Sequence, residues 1–188
     1  KIKLSQNETE HLHQYHVPSN SPVIQVVVSK VEEMSSLVTK YEFKTPNGSD
    51  LPKWEAGAHI DIVVAPEFLR QYSMSGNPAD RSKYQIGVLR EEEGRGGSKM
   101  MHRIFSKGRK IFISKPINHF ELDENKPKTF LMGGGIGITP MIAFAHRLQA
   151  LGKDFEVHYS TSVMEDAGYL QDLKSVSWSD KVFLYFTD

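Results

Sequence analysis

At 188 residues, with 23 Lys and Arg against 23 Asp and Glu, the chain has room for one large domain or two small ones and no excess charge to attract nucleic acid. It contains no cysteine, which excludes disulfides, thiolate zinc sites and any cysteine-held [2Fe–2S] cluster within these residues. No apolar run approaches the roughly 20 residues of a membrane helix, and the polar N-terminus lacks the apolar stretch of a signal peptide, so a soluble cytoplasmic protein without a membrane partner is the expectation.

Residues 1–22 are polar, carry Pro18 and Pro22 and show no sustained period, so they read as an arm. His11, His13 and His16 fall close together there, but no carboxylate or later histidine completes a ligand set, and a solvated arm is the plainer account. From Val23 the chain alternates. PVIQVVVSKVEE, SSLVTKYEFKT, GAHIDIVVA, LRQYSMS, KYQIGVLREE and RKIFISKP are short segments rich in Val, Ile, Tyr and Phe, separated by turn-forming residues. Their spacing predicts an antiparallel barrel. The EEE run at 91–93 reads as an exposed loop. After it, GSKMMHRIFSKG sets Met101, Ile104 and Phe105 at helical spacing, which predicts one short helix between the fifth and sixth strands.

After Pro116 the pattern changes. KTFLMGGG predicts a buried strand ending in glycines, and TPMIAFAHRLQALG a helix with Thr139 as N-cap, Pro140 at the first helical position and Gly152 closing it. DFEVHYSTS is a second strand, followed by a short helix around 168–176 and the strand KVFLYF. Alternating strands and helices imply a parallel sheet, here only half of a nucleotide-binding domain. The expected division is an arm at 1–22, a barrel domain at 23–122 and a partial nucleotide domain at 123–188. Because the chain opens on Lys1 and stops just after a strand, missing sequence at both ends is expected.

Three stretches could carry chemistry. In LMGGGIGITPM a strand runs into Gly133, Gly134, Gly135 and Gly137, so the backbone could approach a pyrophosphate and a helix start could aim amides at it. The spacing matches neither G-x-G-x-x-G nor a Walker loop, and a turn needing glycine for packing alone is the competing account. In GRGGSKMMH, Arg95, Gly96, Gly97 and Ser98 stand before a helix and could hold a phosphate, or could simply connect two strands. In LRQYSMSGNP, Arg70, Tyr72 and Ser73 offer a guanidinium, a flat ring and a hydroxyl, against an ordinary surface pair of Arg70 with Glu67 or Asp80.

Taken in order, WEAGAHIDI, RQYSMSG, YQIGVLRE, GRGGS, KPINHFEL and MGGGIGITPM make the chain resemble the ferredoxin–NADP reductase superfamily, and within it the oxygenase-reductase branch typified by phthalate dioxygenase reductase and vanillate demethylase reductase. The resemblance implies a six-stranded antiparallel Greek-key flavin barrel followed by an NAD-binding domain, with hydride passing from nicotinamide to flavin. It implies that Arg70 binds flavin phosphate, that Tyr72 packs on the ring and Ser73 sits beside its hydride-accepting nitrogen as the catalytic pair, and that Val88 lies along the ribityl chain. Arg95, Gly96, Gly97 and Ser98 would take the phosphate, and Gly135, Gly137, Thr139 and Pro140 would face the nicotinamide. The G-R-G-G-S and N-H-F segments resemble FMN enzymes more than FAD enzymes. Many relatives carry an arginine near Ser162, where the only charges nearby in this chain are Glu165 and Asp166, so NADH is preferred to NADPH, whose 2′-phosphate would want a cation. By resemblance the electrons would leave singly for an iron–sulfur or haem centre of a ferredoxin-like domain or oxygenase subunit, in a hetero-oligomeric complex. Any [2Fe–2S] cluster would lie beyond Asp188 or in a partner. The alternatives are a free-standing FAD-dependent reductase and a non-catalytic docking subunit.

Overall fold

Short apolar-polar alternations become six strands: β1 (Ile24–Glu33), β2 (Val38–Lys44), β3 (His59–Ala65), β4 (Phe68–Ser73), β5 (Tyr84–Leu89) and β6 (Lys110–Ile113). A computed structural model describes residues 23–65, 68–91, 93, 94 and 96–187; the arm at 1–22, with its three histidines, lies outside them. The strands form one antiparallel sheet in the order β4-β3-β6-β1-β2-β5. A bridge between Met74 and Ile86 brings the outer strands together, so the sheet is a nearly closed barrel with little free edge. Helix α1 (Gly97–Ile104) separates β5 from β6 as the spacing predicts, and it buries Met101 while Phe105 caps its end.

The second part contains β7 (Lys128–Gly134), α2 (Ile138–Ala150), β8 (Asp154–Thr161), α3 (Leu170–Ser175) and β9 (Val182–Phe186). The three strands are parallel, in the order β7-β8-β9. Helix α2 starts earlier than Thr139 predicts. Gly137 is the residue before its first turn, and the Thr139 hydroxyl donates to the Ile136 carbonyl at 3.0 Å rather than capping an amide. At the other end Leu151 is the cap, and Gly152, at φ 64°, donates its amide to Gln149 while Lys153 donates to Leu148. This left-handed closing turn satisfies carbonyls that the helix leaves open. Among the described residues no helix is long and apolar enough to cross a membrane.

Strand β2 explains how the two parts meet. Val38 to Phe43 are all buried, although VTKYEF is not uniformly apolar. Tyr41 and Phe43 fill the barrel, and the alternate positions Val38, Lys40 and Glu42 turn outward beneath a second cover. Val38 packs so closely on Gly168 that a Cβ there would lie 2.8 Å from it. Lys40, 6% exposed, pairs with Asp172 of α3 at 2.7 Å and with Glu32 of β1 at 3.1 Å. Lysine is buried only when its charge is met. Asp172→Asn should therefore lower stability by about 1 kcal/mol at low salt, because Glu32 still meets the ammonium, and by less at high salt. Urea midpoints in the two buffers check this.

Candidate flavin and nucleotide site

Strand alternation puts Phe68, Arg70 and Tyr72 on one face of β4 and Leu69, Gln71 and Ser73 on the other. The Arg70 guanidinium sits over the Phe68 ring, 5.0 Å from its centroid, and donates to the Leu69 carbonyl at 2.8 Å. It also reaches the start of α1. A Cβ placed on Gly97 would stand 2.6 Å from Nε and 2.9 Å from Cζ of Arg70, so a side chain at position 97 would push that guanidinium aside. Of the two carboxylates that could pair with Arg70, Asp80 instead accepts from the amide and hydroxyl of Ser82; Glu67 lies outside the described residues.

Around this contact the structure gathers anion-binding groups. Gly96 leads into α1 at φ 88° without a side-chain cap, and the first amides of a helix have no partner inside it. Ser98, which is buried, accepts from the Glu91 amide at 3.2 Å, which leaves its hydroxyl proton for another acceptor. A guanidinium, the amides of Gly97 and Ser98 and a hydroxyl thus converge at one helix start, the arrangement that suits a phosphate. Arg95 lies outside the described residues.

Tyr72 is half-buried beside Arg70, and burial pushes its hydroxyl up to about 12, an effect that Arg70 opposes and Glu91 reinforces. It is a neutral phenol at any physiological pH. Ser73 ends β4 across from His59 and shares its face with Ser75, whose hydroxyl lies 3.2 Å from that of Tyr169 in the second part. Val88 is fully buried in line with Tyr84 and Ile86 of the barrel core, and its carbonyl lies 3.1 Å from Nε2 of His102.

In the glycine turn after β7 the competing accounts separate by residue. A Cβ on Gly133 would come within 2.7 Å of the Ile138 Cα, so that glycine serves packing; Gly135 and Gly137 are exposed and would meet nothing within 4 Å. Thr139 and Pro140 are buried. Thr139 and Ile136 press against β5, where a Cβ on Gly87 would come within 3.0 Å of each and would clash with the Tyr169 hydroxyl. Sequence reasoning passed over Gly87, Phe68 and Tyr169. The signals were present: a glycine inside YQIGVL marks a close backbone approach, and Phe68 continues the Arg70–Tyr72 alternation.

No family model matches the chain. It is 37% identical over 164 residues to vanillate O-demethylase oxidoreductase of Pseudomonas sp. (strain HR199 / DSM 7063), covering 87% of this chain and 52% of that protein. It is 32% identical over 169 residues to phthalate dioxygenase reductase of Burkholderia cepacia, covering 89% of this chain and 52% of the relative. The chain thus spans about half the length of the curated relatives it matches. Among solved structures it superposes on phthalate dioxygenase reductase, described as a modular structure for electron transfer from pyridine nucleotides to [2Fe–2S], with a TM-score of 0.84 and 32% identity, covering 87% of this chain and 51% of that one.

Proposed function

Given that the chain belongs to the oxygenase-reductase branch of the ferredoxin–NADP reductase superfamily, we propose that it is the reductase component of an oxygenase or demethylase system, passing a hydride from NADH to bound FMN and single electrons onward to an iron–sulfur or haem centre. The observation that carries this reading is the contact between Arg70 and Gly97, where a Cβ would stand 2.6 Å from the guanidinium. It joins the two motifs that the reading assigns to one phosphate, in a cradle that suits the group.

When bound, the flavin supplies the conversion of a two-electron donor into single electrons. The chain's own residues bind and orient. Arg70, together with the Gly96–Ser98 helix start and Arg95, holds the phosphate; one phosphate matches one helix start, which favours FMN over FAD. Tyr72, a neutral phenol, offers a flat amphipathic face to the ring. Ser73 offers a hydroxyl beside the ring's hydride-accepting nitrogen, and Val88 lies along the ribityl chain. Gly135 and Gly137 let a dinucleotide run close to the backbone, while Thr139 and Pro140 fix α2 beneath it. Between His158 and Lys174 the chain has no Lys or Arg and carries Glu165 and Asp166, which disfavours a 2′-phosphate and supports NADH. The arm, barrel and nucleotide parts divide at 22 and 122, and the protein works in the cytoplasm beside an oxygenase or ferredoxin partner in a hetero-oligomeric complex.

Full-length protein purified from its host is expected to be yellow, to release FMN on denaturation, and to be bleached faster by NADH than by NADPH in anaerobic stopped flow. Colourless protein that takes up no added flavin would overturn the reading. Released FAD would move the protein to the free-standing FAD-dependent class.

A further inference from the structure

We propose that His102 is a positioning residue for the flavin phosphate: it ties α1 to β2 and β5 and so holds the Gly96–Ser98 helix start against Arg70. This rests on the reading of that helix start as the phosphate site.

An eight-residue helix is too short to be stable by itself, so its placement comes from tertiary contacts. Met101 anchors α1 in the core, and Ser98 ties its first turn to Glu91. The last turn is held by His102, whose two ring nitrogens reach two different strands. Nε2 lies 3.1 Å from the Val88 carbonyl of β5, and Nδ1 lies 3.3 Å from the Thr39 hydroxyl of β2. A carbonyl only accepts, so Nε2 carries the proton and Nδ1 accepts from Thr39. The neutral imidazole satisfies both strands at once, and Tyr41 stands edge-on 6.4 Å away. Losing this tie lets α1 pivot on Met101, which moves the amides that would face the phosphate.

The charges around the ring fix its preferred state. Burial and Arg90, just beyond β5, hold the His102 pKa below its ordinary value, while the bond to Val88 and Glu33 of β1 work the other way. Lys99 and Arg103 flank it on α1 itself. A protonated ring would turn Nδ1 into a donor and force the Thr39 hydroxyl to reverse. The fold therefore favours the neutral form. The contribution is complete above about pH 6.5, the ordinary histidine value, and is lost as pH falls through the lower folded value.

The test is titration of full-length protein, stripped of flavin, with FMN and with riboflavin, which lacks the phosphate, across pH 5 to 8. His102→Leu and, should that variant fail to fold, Thr39→Val are expected to weaken FMN binding about tenfold at pH 7.5 and leave riboflavin binding unchanged. His102→Gln keeps a donor for Val88 and should recover most of the FMN affinity. It should also lack the part of the acid loss that the wild type shows beyond titration of the phosphate itself. Arg70→Ala separates the failures. If it loses FMN selectivity while the His102 and Thr39 variants bind FMN like wild type, the positioning role is wrong and the site stands. If Arg70→Ala also binds like wild type, the phosphate site is wrong and the inference falls with it. Equal losses for FMN and riboflavin in the His102 variants would mean general damage and would also overturn the role.

Discussion

Arg70→Ala is expected to weaken FMN binding by about 10- to 100-fold while leaving riboflavin binding unchanged. A hydrogen bond to a charged group contributes about 1.5–3 kcal/mol, and the loss should be confined to the ligand that carries the charge. The guanidinium is already held where a phosphate would meet it, because Phe68 lies beneath it, the Leu69 carbonyl holds one of its nitrogens, and Gly97 leaves room beside it. Little side-chain freedom remains to be lost on binding, so the contribution should fall toward the upper end of that range. Arg70→Lys keeps the charge but not the planar fork, and should recover part of the selectivity. Fluorescence titration of the stripped protein with the two flavins measures both, and equal affinities of wild type and Arg70→Ala for FMN would disprove the assignment.

Gly87→Val should slow reduction of bound flavin by NADH at least about tenfold, with flavin affinity nearly unchanged. A Cβ at this position meets the Ile136 and Thr139 side chains at 3.0 Å and clashes with the Tyr169 hydroxyl. That tyrosine is fully buried, and its hydroxyl lies within hydrogen-bond distance of Ser75, so it cannot move aside cheaply. The nucleotide half must then stand off from the barrel. Overpacking of this kind costs about 1–3 kcal/mol of stability, and a displacement of about 1 Å between reacting partners can cost about a hundredfold in rate. The Arg70 cradle lies on β4 and α1 rather than at this seam, which is why binding should survive. Stopped-flow reduction and a urea midpoint read the two effects separately. An unchanged rate with a lowered midpoint would mean that the seam is structural only.

The site was legible in the sequence to different depths. R-x-Y-S and G-R-G-G-S each contain their own polar groups, and the structure puts Arg70 against Gly97 between them. Thr139 read as a helix cap because Ser and Thr usually cap, but the helix begins at Ile138 and the hydroxyl turns back to Ile136. The extra turn at Gly135–Gly137, which competes with the cap, leaves no mark in the spacing. Nothing near Lys40 in the chain announces Asp172, its partner at 2.7 Å. The two partners of His102 likewise lie on strands distant in sequence.

By itself the sequence determined the kind and order of the elements: six alternating strands, a short helix after G-R-G-G-S, then strand, glycines and helix. Those are local properties, set by side-chain period and by glycine and proline over a few residues. The tertiary structure alone decided which faces meet. It placed the phenyl of Phe68 under Arg70, split the glycines of the second turn into packing and open positions, set the Ser75 hydroxyl beside that of Tyr169, and buried Lys40 between two carboxylates. Contacts of that range depend on barrel register and on the seating of one half against the other, and no window of neighbouring residues encodes either.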